Sequence, residues 1–134
     1  MPGIMPDNDV RGQFKALLTF LQGPIWGDVW KKLGLTLPEF ETLGLPRTAS
    51  DALVWHTCQA HEVILFTGNR KDEGPDSLEA TIRACNQIAS LPVITLGDAK
   101  RFNYDRAYAE AAEGVMDILL DLDNRRGAGR LYVP

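Results

Sequence analysis

Val63-Ile64-Leu65-Phe66-Thr67-Gly68-Asn69-Arg70 is the stretch that decides the fold. Its first four residues are apolar at every position and include two β-branched side chains and one aromatic, the composition of a strand. A short strand that is apolar on both faces belongs at the centre of a parallel sheet covered by helices on each side. Polarity returns at Thr67, which places Thr67, Gly68 and Asn69 at the carboxyl end of that strand. Ligands of open parallel sheets bind beyond such ends.

Working outward, Thr48 or Ser50 can cap a preceding helix that turns Leu53, Val54 and Cys58 inward. Downstream, Asp76 and Glu79 have capping-box spacing, and Leu78, Ile82 and Cys85 follow on one helical face. Residues 91–96 read as a second buried strand closed by Gly97. Tyr104, Tyr108, Ala111, Val115, Leu119 and Leu122 then repeat at helical spacing, and residues 127–133 offer a short terminal strand. Toward the amino end, residues 3–5 can form a first strand. Val10, Phe14, Leu17, Leu18 and Leu21 mark a helix, with Asp9 to cap it and Gly23-Pro24 to stop it. Residues 29–33 read as a short strand, and residues 36–43 as a short helix begun by Thr36 or Pro38 and ended by Gly44. Strands alternating with helices imply right-handed crossovers and an α/β fold, a three-layer α/β/α sandwich with a mainly parallel central sheet.

The 134 residues suit one domain over 1–134. With 45% hydrophobic and 24% charged residues, disordered and collagen-like classes drop out. No apolar run approaches the roughly 18 residues of a membrane span, and no basic segment leads into an apolar one at the start, so the cytoplasm is the default compartment. A formal charge of -4 argues against coating nucleic acid by bulk attraction but leaves local patches. Arg70-Lys71, Lys100-Arg101 and Arg125-Arg126 with Arg130 are such clusters, which also serve to balance helix ends. Cys58 and Cys85 read as free thiols, and His56 and His61 as structural. A serine-hydrolase elbow and glycine-rich phosphate loops are missing.

Acid or amide side chains follow three strands: Asp7-Asn8-Asp9, Thr67-Gly68-Asn69 and Gly97-Asp98. Carboxylates brought together repel unless a cation neutralises them. Oxygen-only ligands suit Mg²⁺ or Mn²⁺, which can orient a phosphate and activate water. Each of these acids also has an ordinary use as a helix cap.

Asp7-Asn8-Asp9 before a helix, Ser50-Asp51 opening the next major helix, and residues 63–70 resemble the small PIN-like proteins of bacteria. The residues Gly12-Gln13, Gly44-Leu45-Pro46, Asp76-Ser77-Leu78-Glu79 and the ending from Asp123-Asn124 add likeness to an uncharacterised group of them. The resemblance implies a PIN-like fold and a ribonuclease dependent on Mg²⁺ or Mn²⁺, often a toxin with an antitoxin partner, often a homodimer. For the dimer, the segment from Trp26 to Trp30 supplies apolar area. Carried over, Asp7, Asp9 and Asp51 bind the metal, Asn69 completes the shell as a catalytic residue, Thr67 supports by hydrogen bonding, and Arg70 or Lys71 holds the RNA backbone. The chain departs from the pattern at Asn69, where an acid is expected; Asp72 or Asp76 compensates, or catalysis is lost. The rival resemblance is to haloacid-dehalogenase-like phosphatases, which needs Asp7, Asp9 and Asp98 together with Thr67. A third reading is a non-catalytic binding module.

Overall fold

The computed structural model describes residues 2–69, 74–97 and 105–134. The all-apolar run forms strand β2 (Val63–Thr67), every residue of it buried. It pairs in parallel with β1 (Gly3–Pro6) on one side and β3 (Val93–Leu96) on the other, and β4 (Arg130–Val133) pairs in parallel with β3. The four strands therefore run in chain order across an all-parallel sheet. Thr36 adds a single parallel bridge to Gly3. It lies on the outer side of β1, because Gly3 and Asp7 donate to Glu62 and Phe66 whereas Ile4 donates to Thr36. Gly3 is required there: a Cβ would stand 2.5 Å from the Thr36 hydroxyl oxygen.

Helices cover both faces. Ile4, Ile64, Phe66, Ile94 and Leu96 point to one face, where α1 (Arg11–Leu21), α2 (Gly27–Leu33) and α5 (Asp105–Leu120) pack. Met5, Val63, Leu65 and Val93 point to the other, beneath α3 (Asp51–Ala60) and α4 (Leu78–Cys85). A short α6 (Leu122–Arg125) leads to β4. Because successive strand side chains alternate faces, one apolar run feeds both cores.

Several expectations are corrected. Residues 29–33 are helical rather than extended, within α2. Val29, Trp30 and Leu33 pack toward the core while Lys31 and Lys32 face solvent, which is helical spacing. Residues 36–43 hold only a 3-10 turn at Glu41–Leu43, though Gly44 ends it in the left-handed region. Leu53 is 47% exposed, since Val54, Trp55 and Cys58 choose the buried face of α3. Asp9 does not cap α1; Asp7 instead caps a 3-10 turn at Asn8–Val10. Ser77, not Asp76, caps α4. Nor are all crossovers of one hand: α4 and α5 each carry the chain one strand in the same direction, yet from opposite faces. With α3 and α4 filling one face, α5 takes the other, where Phe20 stacks on Tyr108 at 6.0 Å.

Trp30 is buried and Trp26 packs against the same core, so the tryptophans counted toward a dimer face serve the chain's own interior. Cys58 and Cys85 are both free. Among the described residues, no helix is long and apolar enough to cross a membrane.

Candidate functional site

The chain leaves β1 toward its outer side at Thr36 and returns to the inner side as β2. Such a reversal opens a crevice between the two carboxyl ends. Into it the sequence delivers Asp7 from the end of β1, Thr67, Gly68 and Asn69 from the end of β2, and Asp51 from the first turn of α3. Ser50 sets the start of that helix, its hydroxyl accepting from the Leu53 N–H at 3.2 Å. The resulting cleft, of about 400 Å³, is lined by Asp7, Asn8, Asp9, Asp51, Gly68 and Asn69, with Phe40 and Ala49 as its apolar wall.

Within the cleft the Thr67 hydroxyl donates to Asp7 Oδ2 at 2.9 Å and stands 3.4 Å from Asp9 Oδ1. One hydroxyl proton cannot serve both carboxylates at once. Thr67 also accepts from the Asn69 N–H at 3.0 Å, which folds the end of β2 back over the site. The other oxygen of Asp7 accepts from the Asn8 N–H at 2.8 Å. Across the cleft, Asn69 Nδ2 donates to Asp51 Oδ2 at 3.0 Å. Asp7, Asp9, Asp51 and Asn69, all expected site residues, therefore line one cleft, with Thr67 bonded to Asp7 and near Asp9. Arg70, Lys71, Asp72 and Asp98 lie outside the described residues, and exposed Asp76 does not line the cleft.

Burial pushes the Asp7 carboxyl above its ordinary range; the Asn8 N–H and Thr67 hydroxyl oppose this, and the charges of Asp9 and Asp51 add to it. Burial raises Asp9 as well, against hydrogen bonds from the Gly68 backbone and Thr67, with Asp51 adding repulsion. Acids held in this way gain from a cation. Among the described residues, however, no three His, Cys, Asp or Glu side chains gather as a ready metal site. Mg²⁺ usually keeps several waters and uses one or two carboxylates, so the oxygen donors present suit such an ion without forming a closed cage.

Supporting residues were not singled out by the sequence as parts of the site. Arg130 has a side chain only 5% exposed. It donates through Nη1 to the Asn69 carbonyl at 2.7 Å and to Thr95 Oγ1 at 2.9 Å, and through Nε to Glu79 at 3.1 Å. On the opposite rim, Asn8 exchanges hydrogen bonds with Arg47, whose Nη2 lies 2.7 Å from Glu41. The basic cluster around residue 130 was visible in the sequence, but its inward direction depends on β4 joining the sheet.

No family model, curated protein or solved structure matches the chain.

Proposed function

We propose that the chain is a PIN-like ribonuclease dependent on Mg²⁺ or Mn²⁺. The observation that carries this reading is the Thr67 hydroxyl set between Asp7 and Asp9, with Asp51 lining the same crevice at the sheet's reversal point. Asp7 and Asp9 would hold the ion, with Asp51 approaching from α3. A bound ion would supply Lewis-acid polarisation of a phosphate and a water of lowered pKa. Thr67 and the Asn8 N–H fix the orientation of Asp7, while Asn69 holds Asp51 through its amide. Phe40 and Ala49 limit water on one wall. RNA is the substrate of this reading, Arg70 or Lys71 its backbone contacts, and an antitoxin or a second copy its expected protein partners.

The phosphatase alternative requires Asp98 beside Asp7 and Asp9; Asp98 lies outside the described residues, and Gly97 before it follows β3, which β2 separates from β1. The non-catalytic alternative draws on one specific observation: Asn69, a neutral amide, occupies Asp51 where an ion would otherwise be needed.

The test combines calorimetry with Mg²⁺ and Mn²⁺ and incubation with single-stranded RNA and with p-nitrophenyl phosphate, each with metal or EDTA. Metal-dependent RNA cleavage, reduced at least about 100-fold in Asp7→Asn, supports the nuclease. Turnover of the small phosphoester alone supports the phosphatase. Absence of both activities and of metal binding leaves the binding module.

A further inference from the structure

A second concavity lies on the other side of Phe40. Its volume of about 440 Å³ falls within the roughly 300–1,000 Å³ of small-ligand pockets. It exists because β1 lacks a full neighbour on its outer edge. Thr36 bridges Gly3, but Pro38 has no N–H to continue the ladder, and Pro6 on the facing strand has none either. The chain therefore splays from β1 over residues 37–40. Ile4, Met5 and Phe14 floor the gap, and Leu18, Leu37 and Pro38 wall it. Leu37 is 41% exposed, so the apolar wall is open to solvent.

The rim is basic. Arg11 and Lys15, one turn apart on α1, stand there with Arg47, against a single lining acid, Glu39. Arg47 also bridges to Glu41 and sits 5.5 Å over the Phe40 ring. Phe40 lines both this groove and the acidic cleft, so the two share a border at that side chain.

We infer that this groove is the subsite for one unpaired nucleobase of single-stranded RNA, next to the phosphodiester presented to the acidic cleft. The inference rests on the nuclease reading. An apolar slot accepts the face of any base, and the phosphates on either side of that base require cations. A chain of charge -4 must supply those cations locally, and Arg11 and Lys15 do so at the slot's edge, with Arg47 beside them held by Glu41. The same rim disfavours basic peptides. A duplex, whose bases remain stacked, cannot enter.

Gly12 makes the test clean. It lines the groove, and a Cβ there meets nothing within 4 Å. Gly12→Leu adds bulk at the groove's lining, while Gly12→Ala reproduces the gain in helix propensity with little added bulk. Fluorescence anisotropy in EDTA, with the full chain and a labelled RNA of about 12 nucleotides, reads binding apart from cleavage. The expected results are tighter binding of single-stranded than duplex RNA and at least about fivefold weaker binding by Gly12→Leu than by Gly12→Ala. Lys15→Ala is expected to lower the salt slope of binding by about 0.7. Equal affinity of the two Gly12 variants, equal affinity for duplex, or no binding at all overturns the subsite. RNA cleavage with equal affinities rejects the subsite and keeps the nuclease; slot-dependent binding with no metal-dependent cleavage does the reverse.

Discussion

Thr67 is the residue on which the site's geometry turns. It is fully buried, donates a hydrogen bond to Asp7 and accepts one from the Asn69 N–H. Thr67→Val keeps the shape but leaves two polar partners without their hydrogen bond, a loss of about 1–3 kcal/mol in urea unfolding. The same substitution should weaken metal binding by calorimetry, because Asp7 loses its orienting bond; unchanged affinity would show that Thr67 only stabilises the fold. Cys58 reports on the neighbourhood from behind. Burial, with a contribution from the Asp7 charge, pushes its thiol up to about 12. In native protein a disulfide-exchange reagent should therefore modify Cys85, which is partly exposed, and reach Cys58 only after unfolding. Rapid modification of both thiols in the folded state would contradict the packing of α3.

At the scale of elements, Arg130 joins β4, β3 and α4 to the end of β2 through Thr95, Glu79 and the Asn69 carbonyl. Arg130→Ala leaves the Asn69 carbonyl, Thr95 and partly exposed Glu79 without their donor, and should cost about 1–3 kcal/mol in denaturant unfolding. Arg130→Lys should recover little, since an ammonium cannot reproduce a fork that serves three acceptors. A loss under about 1 kcal/mol for the alanine variant would mean that water replaces the guanidinium. These ties explain what the sequence could and could not reveal. The β2 run and the repeats of α1 and α5 were readable because each buried face has its own period. A cap at Thr48 or Ser50 was readable because both stand just before an apolar helical pattern, and Ser50 takes the role. Residues 29–33 misled because Val29 and Trp30 favour strands, and only the spacing of Val29, Trp30 and Leu33 against the core makes the segment helical. The side of the sheet taken by α5 was hidden altogether, because it depends on which face α3 and α4 have already filled. For the site, Asp7, Asp9, Asp51, Thr67 and Asn69 were legible as polar residues at strand ends and a helix start. Arg47 and Arg130 were not, since the site residues they hold, Asn8 and Asn69, are distant from them in sequence.

On the scale of the whole molecule, the acidic cleft links global stability to pH, and the proposed metal site adds a dependence on cations that can be tested. Asp7 and Asp9 both have raised pKa values in the folded protein, first through burial and then through neighbouring acids. The folded state thus binds these protons more tightly than the unfolded state does. Their cost is absent below the ordinary value of 3.8, grows as pH rises from there through the folded values, and persists above them. Exposed Glu41 runs in the opposite direction, lowered by its own backbone hydrogen bond and then by Arg47. Asp7→Asn removes one charge while its amide can still accept from Asn8 and donate to Thr67. The difference in unfolding free energy between Asp7→Asn and the parent should therefore be near zero at about pH 3 and favour the variant at about pH 7. Adding Mn²⁺ in millimolar amounts at about pH 7 should raise the parent's unfolding midpoint and leave Asp7→Asn nearly unmoved, since only a ligand that prefers the folded state stabilises it. A variant less stable than the parent at neutral pH, with no response of either protein to Mn²⁺, would mean that Asp7 serves as the cap of its 3-10 turn and that the cleft holds no cation.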